Sequence, residues 1–212
     1  MAYRISIGSG ASEDRLERLI DERLKPGADK DKIDQRIWDL FGETWCVMFT
    51  DLSGFSRGVA KFGIIHFLQT IFESERLLIP VIEEHDGILL KVEGDSFLVI
   101  FRSPKKGLSC ALRMNQVLRD YNRSKPDEEK VLLCLGLGYG RVLRISDADV
   151  YGAEVNAASK LGEDTAKATE ILITDLVKRE VESTPGVRFE ELEEAPGGAE
   201  KAWKVVYELG GS

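Results

Sequence analysis

Ile88-Leu-Leu-Lys-Val-Glu-Gly-Asp-Ser-Phe-Leu-Val-Ile-Phe101 decides the reading of this chain. Two apolar runs, residues 88–92 and 96–101, bracket Glu93-Gly94-Asp95, and a glycine in so short a connection accepts turn dihedrals that other residues avoid. The stretch predicts a β-hairpin with Asp95 at its tip and Lys91 beside the turn. Upstream, residues 45–50 read as a buried strand, and Asp51 stands where that strand ends. A hairpin lying beside it brings the carboxylates of Asp51 and Asp95 together.

Working outward, residues 64–84 predict a long helix with apolar positions at Ile64, Leu68, Ile71, Phe72, Leu78 and Ile82, which Pro80 should kink or divide. Residues 108–121 predict a helix, 131–142 a strand loosened by Gly136, Gly138 and Gly140, and 152–161 a helix. Further strands fall at 171–174, 189–192 and 203–209. The order is βααββαβ with a C-terminal βαββ extension, which points to an α+β fold: a ferredoxin-like (palm-type) sheet with helices on one face. Gly136-x-Gly-x-Gly140 enters no strand-to-helix turn, so it reads as a place of close backbone packing rather than a nucleotide loop.

Two short helices precede this domain. Residues 12–24 place Leu16, Leu19, Ile20 and Leu24 on one face, with Ser12 as N-cap, and Pro26-Gly27 ends them. Residues 30–41 place Ile33, Ile37, Leu40 and Phe41 together and stop at Gly42. The division expected is a helical extension over 1–42, for dimerisation or regulation, and a catalytic domain over 43–212.

The 212 residues carry 29 Lys and Arg against 37 Asp and Glu, a net charge of −8. That balance argues against a nucleic-acid surface or an anionic membrane as partner. Cys46, Cys110 and Cys134 form no metal or redox spacing and suit buried thiols in a reducing cytosol. No apolar run approaches the ~20 residues that span a bilayer, and Met-Ala-Tyr-Arg lacks a secretory h-region. A cytoplasmic location is expected. His66 and His85 stand alone and read as structural or solvent-facing.

Paired carboxylates at a strand end and hairpin tip suit hard cations such as Mg²⁺ or Mn²⁺, which prefer oxygen ligands. Leu52, Ser53, Gly54 and Phe55 follow Asp51 directly and open a helix, whose free N–H groups would meet a phosphate.

Phe49-Thr50-Asp51-Leu52-Ser53-Gly54-Phe55, Gly87 with Lys91-Val92-Glu93-Gly94-Asp95, and Asp149-Val-Tyr-Gly-Ala-Glu-Val-Asn-Ala-Ala-Ser159 together resemble the motifs of class III adenylate and guanylate cyclases, over roughly residues 45–209. The resemblance implies two divalent metals per site on Asp51 and Asp95. It also implies an adenine-reading pair, Lys91 and Asp149. Adenine offers a ring-nitrogen acceptor to the Lys and an amine donor to the Asp, a pattern that guanine partly reverses. Asn156 matches the residue that positions the ribose.

Lys160 stands where the family has Arg, keeping the charge but losing the bidentate fork. Glu93 replaces a usually apolar residue and is expected to face solvent. The family's C-terminal triphosphate Lys falls at Lys201 or Lys204. The implied activity is conversion of ATP to 3′,5′-cyclic AMP and pyrophosphate by a homodimer. Asp51 and Asp95 of one copy then face Lys91, Asp149, Asn156 and Lys160 of the other. The alternatives are a silent nucleotide-binding domain and a cyclase of GTP or a pyrimidine nucleotide; the Gly-Gly-Asp/Glu-Glu-Phe signature of diguanylate cyclases is absent.

Overall fold

The computed structural model describes residues 10–53 and 63–208. Gly54 and Phe55, with the helix start expected there, lie outside the described residues, as does Leu209. The described elements are α1 (Ala11–Leu24), α2 (Lys30–Phe41), β1 (Gly42–Leu52), α3 (Ile64–Glu84), β2 (Ile88–Glu93), β3 (Ser96–Phe101), α4 (Pro104–Asn122), β4 (Leu133–Ile145), β5 (Asp149–Tyr151), α5 (Ala153–Ser159), β6 (Ile171–Thr174), α6 (Asp175–Val181), β7 (Val187–Glu191) and β8 (Ala202–Tyr207). The strands form one sheet in the order β2-β3-β1-β4-β6-β8-β7, with β5 paired to β4. The α+β palm-type arrangement expected from the sequence is the one observed.

The hairpin forms because Gly94 takes φ 63, a left-handed turn dihedral. It docks antiparallel on β1, with Thr50 opposite Phe97. The buried Thr50 Oγ1 accepts the Phe97 N–H at 3.1 Å and fixes this register. Gly87 has a packing reason to lack a side chain: a Cβ there would sit 2.6 Å from Phe101 and 2.7 Å from Ile82.

One face of the sheet buries Cys46, Met48, Phe101, Leu135 and Leu137 against α3, α4 and α6. Each fully buried side chain of this size contributes roughly 1.5–3 kcal/mol. All three cysteines are buried free thiols. The other face buries Trp45, Val47, Leu98, Ile100 and Val150 around Val155 of α5. Here the structure departs from helices on a single face, because α5 lies across from the long helices. The cause is the glycine stripe: a Cβ on Gly136 would meet the Ala158 carbonyl oxygen at 2.2 Å, and one on Gly138 the Glu154 carbonyl oxygen at 2.3 Å. Bare backbone at alternate positions of β4 lets a helix lie directly on it.

Helix α3 runs through Pro80 undivided. Its buried residues are Phe67, Ser74, Leu78, Val81 and Ile82, whereas Ile64, Leu68 and Phe72, expected in the core, are exposed. Helix α1 is capped by Gly10 without a side-chain bond, so Ser12 lies inside the first turn rather than at the cap. Asp29 caps α2 by accepting the Lys32 N–H. Leu19, Ile33, Ile37 and Phe41 bury together with Ile145, so the two N-terminal helices pack on the end of β4. Ile20 and Leu40 of the expected apolar faces remain exposed.

Candidate active site

Asp51 sits near the end of β1 and Asp95 in the turn that follows β2. Burial, the Asp95 charge and the Glu163 charge push the Asp51 carboxyl up to about 6. Burial also raises Asp95, while its own N–H, the Asp51 carboxyl and the Leu52 N–H act to lower it. Ser96 Oγ donates to Asp51 Oδ1 over a long 3.4 Å. Crowded, half-buried carboxylates fit a divalent cation, which relieves both the repulsion and the burial of charge. Among the described residues no group of three or more His, Cys, Asp or Glu encloses a metal. Such a partial donor set suits Mg²⁺ or Mn²⁺, which keep water and phosphate oxygens as ligands.

Leu52 turns its side chain into the core, and its backbone N–H acts to lower both carboxyls. The Ser53 N–H, expected to be free for phosphate, donates to the Leu132 carbonyl at 2.8 Å.

Lys91 and Asp149, 58 residues apart, meet: Nζ donates to Oδ2 at 2.6 Å. The bond to Asp149 is the leading reason the Lys91 ammonium is held above its ordinary value. A β-bulge makes this contact possible. Leu89 pairs with Val99, but Lys91 pairs with Leu98, so the register shifts between them. Regular alternation would keep Lys91 on the side of Leu89, which packs toward the long helices; the extra residue re-aims it to the side of Leu98. Glu93 is exposed, as expected, and its Oε1 lies 3.6 Å from Lys91 Nζ. Phe49, Lys91, Glu93, Ser96, Asp149 and Glu163 line a cavity of about 150 Å³. Ser96 therefore borders both the carboxylate pair and the Lys91–Asp149 pair.

Asn156 and Lys160 are exposed. Asn156 belongs to α5, and Lys160 caps it in helical geometry before a π-helical turn, Lys160–Thr165. One-turn π segments recur at functional sites. This one carries Glu163 toward Asp51, and its tight seat needs Gly162, where a Cβ would lie 2.8 Å from the Phe49 carbonyl oxygen.

Sequence reasoning missed Glu154, which anchors the helix. Its buried Oε2 accepts the Tyr139 N–H at 3.0 Å and the Thr174 hydroxyl at 2.7 Å. The glycines beside it on β4 were the available signal. Burial raises its carboxyl above the ordinary value. Of the C-terminal lysines, Lys201 pairs with Glu191 and Lys204 with Glu170, each at 2.7 Å.

A palm-type sheet with a carboxylate pair at the end of an interior strand, a Lys–Asp pair in the cavity that Ser96 also lines and a short helix laid on a glycine stripe is the arrangement expected of a class III nucleotide cyclase domain. The chain belongs to that family: the model described as adenylate and guanylate cyclase catalytic domain matches residues 42–205.

A Myxococcus xanthus protein named serine/threonine-protein kinase pkn2 is 31% identical over 131 residues, covering 62% of this chain and 16% of that protein. A Rhizobium meliloti (strain 1021) protein provisionally named adenylate cyclase 3 is 25% identical over 143 residues, covering 68% of this chain and 24% of that protein. The match thus spans less than a quarter of the length of either relative. The solved adenylate/guanylate cyclase/hydrolase of Silicibacter pomeroyi shares the fold, with a TM-score of 0.67 at 21% identity over 79% of this chain and 99% of that one. Among the described residues no helix is long and apolar enough to cross a membrane.

Proposed function

We propose that this domain converts ATP to 3′,5′-cyclic AMP and pyrophosphate at sites shared by two copies of the chain. Asp51 and Asp95 hold two Mg²⁺ or Mn²⁺ ions. Bound there, the metals neutralise triphosphate charge and lower the pKa of the ribose 3′-hydroxyl. Lys91 donates to an adenine ring nitrogen and Asp149 accepts from the exocyclic amine. Asn156 orients the ribose so that O3′ lies in line with the α-phosphorus. Lys160 supplies positive charge as the bond to the pyrophosphate oxygen breaks. The helical segment over 1–42 acts on this domain as a regulatory or dimerisation element. Localisation in the cytoplasm and ATP and a second copy as partners, with no membrane or nucleic acid, complete the reading.

The observation that carries it is the 2.6 Å Lys91–Asp149 contact beside the Asp51–Asp95 pair. An acid–base couple of this kind offers one donor and one acceptor, which matches the adenine edge. The exposed apolar residues Ile64, Ile65, Leu68 and Phe72 of α3 are of the kind a second copy can cover. The test is to incubate the purified protein with each nucleoside triphosphate and Mg²⁺ or Mn²⁺ and identify the products by mass spectrometry.

A second reading, a domain that binds nucleotide without turnover, is favoured by Lys160 in place of Arg. On the cyclase reading, Lys160→Ala lowers kcat by roughly ten- to a thousandfold with little change in KM. On the silent reading, the wild type yields no cyclic product and Lys160→Arg gains activity.

A further inference from the structure

Asp149 is held at three points. Its Oδ1 accepts the Val150 N–H at 2.9 Å, and its Oδ2 is shared by Lys91 Nζ at 2.6 Å and the Tyr151 hydroxyl at 3.2 Å. It needs such support because β5 is only three residues long and pairs with β4 alone. Alternation along β5 buries Val150 and puts Asp149 and Tyr151 on the opposite side, level with Ile145 and Leu143 of β4. That is the end of β4 on which the N-terminal helices sit, since Ile145 belongs to their core with Leu19, Ile33 and Ile37. Tyr151 lines a groove of about 330 Å³ together with Leu16, Ile20, Ile37, Trp38 and Leu143. One side chain, 52% exposed, therefore borders the same groove as residues of α1 and α2 and places its hydroxyl on the base-reading carboxylate.

We propose that Tyr151 is a positioning residue for base selection, and that it makes the orientation of Asp149 depend on the packing of the N-terminal helices. When a base enters, Lys91 exchanges its bond to Oδ2 for one to the ring. The Tyr151 hydroxyl then remains as the side-chain donor that holds Oδ2 in place. Without it the carboxylate is free to rotate about its terminal torsion, which is broad for Asp. The base-reading acceptor then loses its fixed direction while the metals and triphosphate are untouched. A shift of α1 or α2 moves the Tyr151 ring and reaches the base pocket through this single hydroxyl. The inference rests on the reading of Lys91 and Asp149 as the base-selecting pair.

The experiment compares ATP with GTP, as kcat/KM or, where turnover is too slow, as Kd, in the full chain. Tyr151→Phe keeps the ring and should lower the ATP-over-GTP ratio by about two- to tenfold, the worth of one hydrogen bond. Inhibition by inorganic pyrophosphate with Mn²⁺, which involves no base, should be unchanged. Ile20→Glu on the groove wall should lower the ratio as well, and the double variant should lose no more than the larger single loss. An unchanged ratio in Tyr151→Phe, with a collapsed ratio in Asp149→Asn, overturns the role of Tyr151 and leaves the base-selecting pair standing. An unchanged ratio in Asp149→Asn overturns that pair itself. Additive losses in the double variant, or weakened pyrophosphate inhibition in Tyr151→Phe, overturn the link from the helices to the base.

Discussion

Lys91 Nζ lies 2.6 Å from Asp149 Oδ2, although the two residues sit on strands that are not neighbours in the sheet. The bulge in β2 and the hairpin of β4 with β5 each contribute one partner, so the pair reports the tertiary fold and no single element. Four further consequences can be measured.

Metal binding should be visible as stability. On the proposed metal site Mn²⁺ would bind the folded protein and not the unfolded chain, and at a hundred times its Kd would add about 2.7 kcal/mol. In Asp51→Asn the carboxylate repulsion with Asp95 and Glu163 is relieved without a metal, and the Mn²⁺-dependent rise in Tm should vanish. Thermal denaturation with and without Mn²⁺ checks this; a full rise in the variant would remove Asp51 from the metal site.

Shared sites predict complementation. Asp51→Ala and Asn156→Ala chains should each be inactive. After subunit exchange, half the dimers are mixed and each mixed dimer keeps one intact site of two, so about a quarter of wild-type activity returns. No recovery in a mixture shown to exchange subunits would count against a site built from two copies.

The glycine stripe should be intolerant of a single methyl group. In Gly138→Ala the new Cβ falls 2.3 Å from the Glu154 carbonyl oxygen, against backbone that cannot swing aside. Overpacking of this kind costs about 1–3 kcal/mol, and displacement of α5 moves Asn156, so kcat/KM should fall as well. Gly197→Ala meets nothing within 4 Å and serves as the control, expected to stay within about 0.5 kcal/mol. Denaturant unfolding of both variants decides it.

Glu154 gives the fold a pH dependence of known sign. Burial raises its carboxyl in the folded state above the unfolded value, so the folded protein takes up the proton more readily. The resulting stabilisation is complete below the ordinary glutamate range and is lost as pH rises through the folded-state value. Glu154→Gln can still accept from Tyr139 and Thr174 but does not titrate. Its Tm relative to wild type should therefore increase as pH is raised through that window, and a difference that stays flat or falls would contradict the assignment.

The hairpin and its glycine turn, the bounds of α3 and the meeting of Asp51 with Asp95 were legible in the sequence, because turn chemistry and periodicity are local. The inward face of α3 was not: periodicity groups Ile64, Leu68 and Phe72 on one stripe, but the stripe that packs on the sheet is the adjacent one through Phe67, Ser74, Leu78, Val81 and Ile82. The bulge in β2 was also hidden, since the cross-strand partner sets the register. Lys91 and Asp149 could be paired only through the family resemblance. Glu154, Glu163 and Tyr151 stood inside or beside a recognised motif, yet their roles depend on what β4, β1 and the N-terminal helices bring to them. The Gly136-x-Gly-x-Gly140 pattern did forecast a close backbone approach, though not that a functional helix makes it.

The central claim is that Lys91 and Asp149 select adenine in a working cyclase. The most direct measurement offers ATP and GTP together, in equal amounts with Mn²⁺, to the wild type and to the Lys91→Ala/Asp149→Ala variant, and reads both cyclic products by mass spectrometry. The account predicts that 3′,5′-cyclic AMP dominates in the wild type and that the ratio of products collapses toward unity in the variant. Cyclic GMP as the main wild-type product, or a variant that keeps the wild-type ratio, would contradict it.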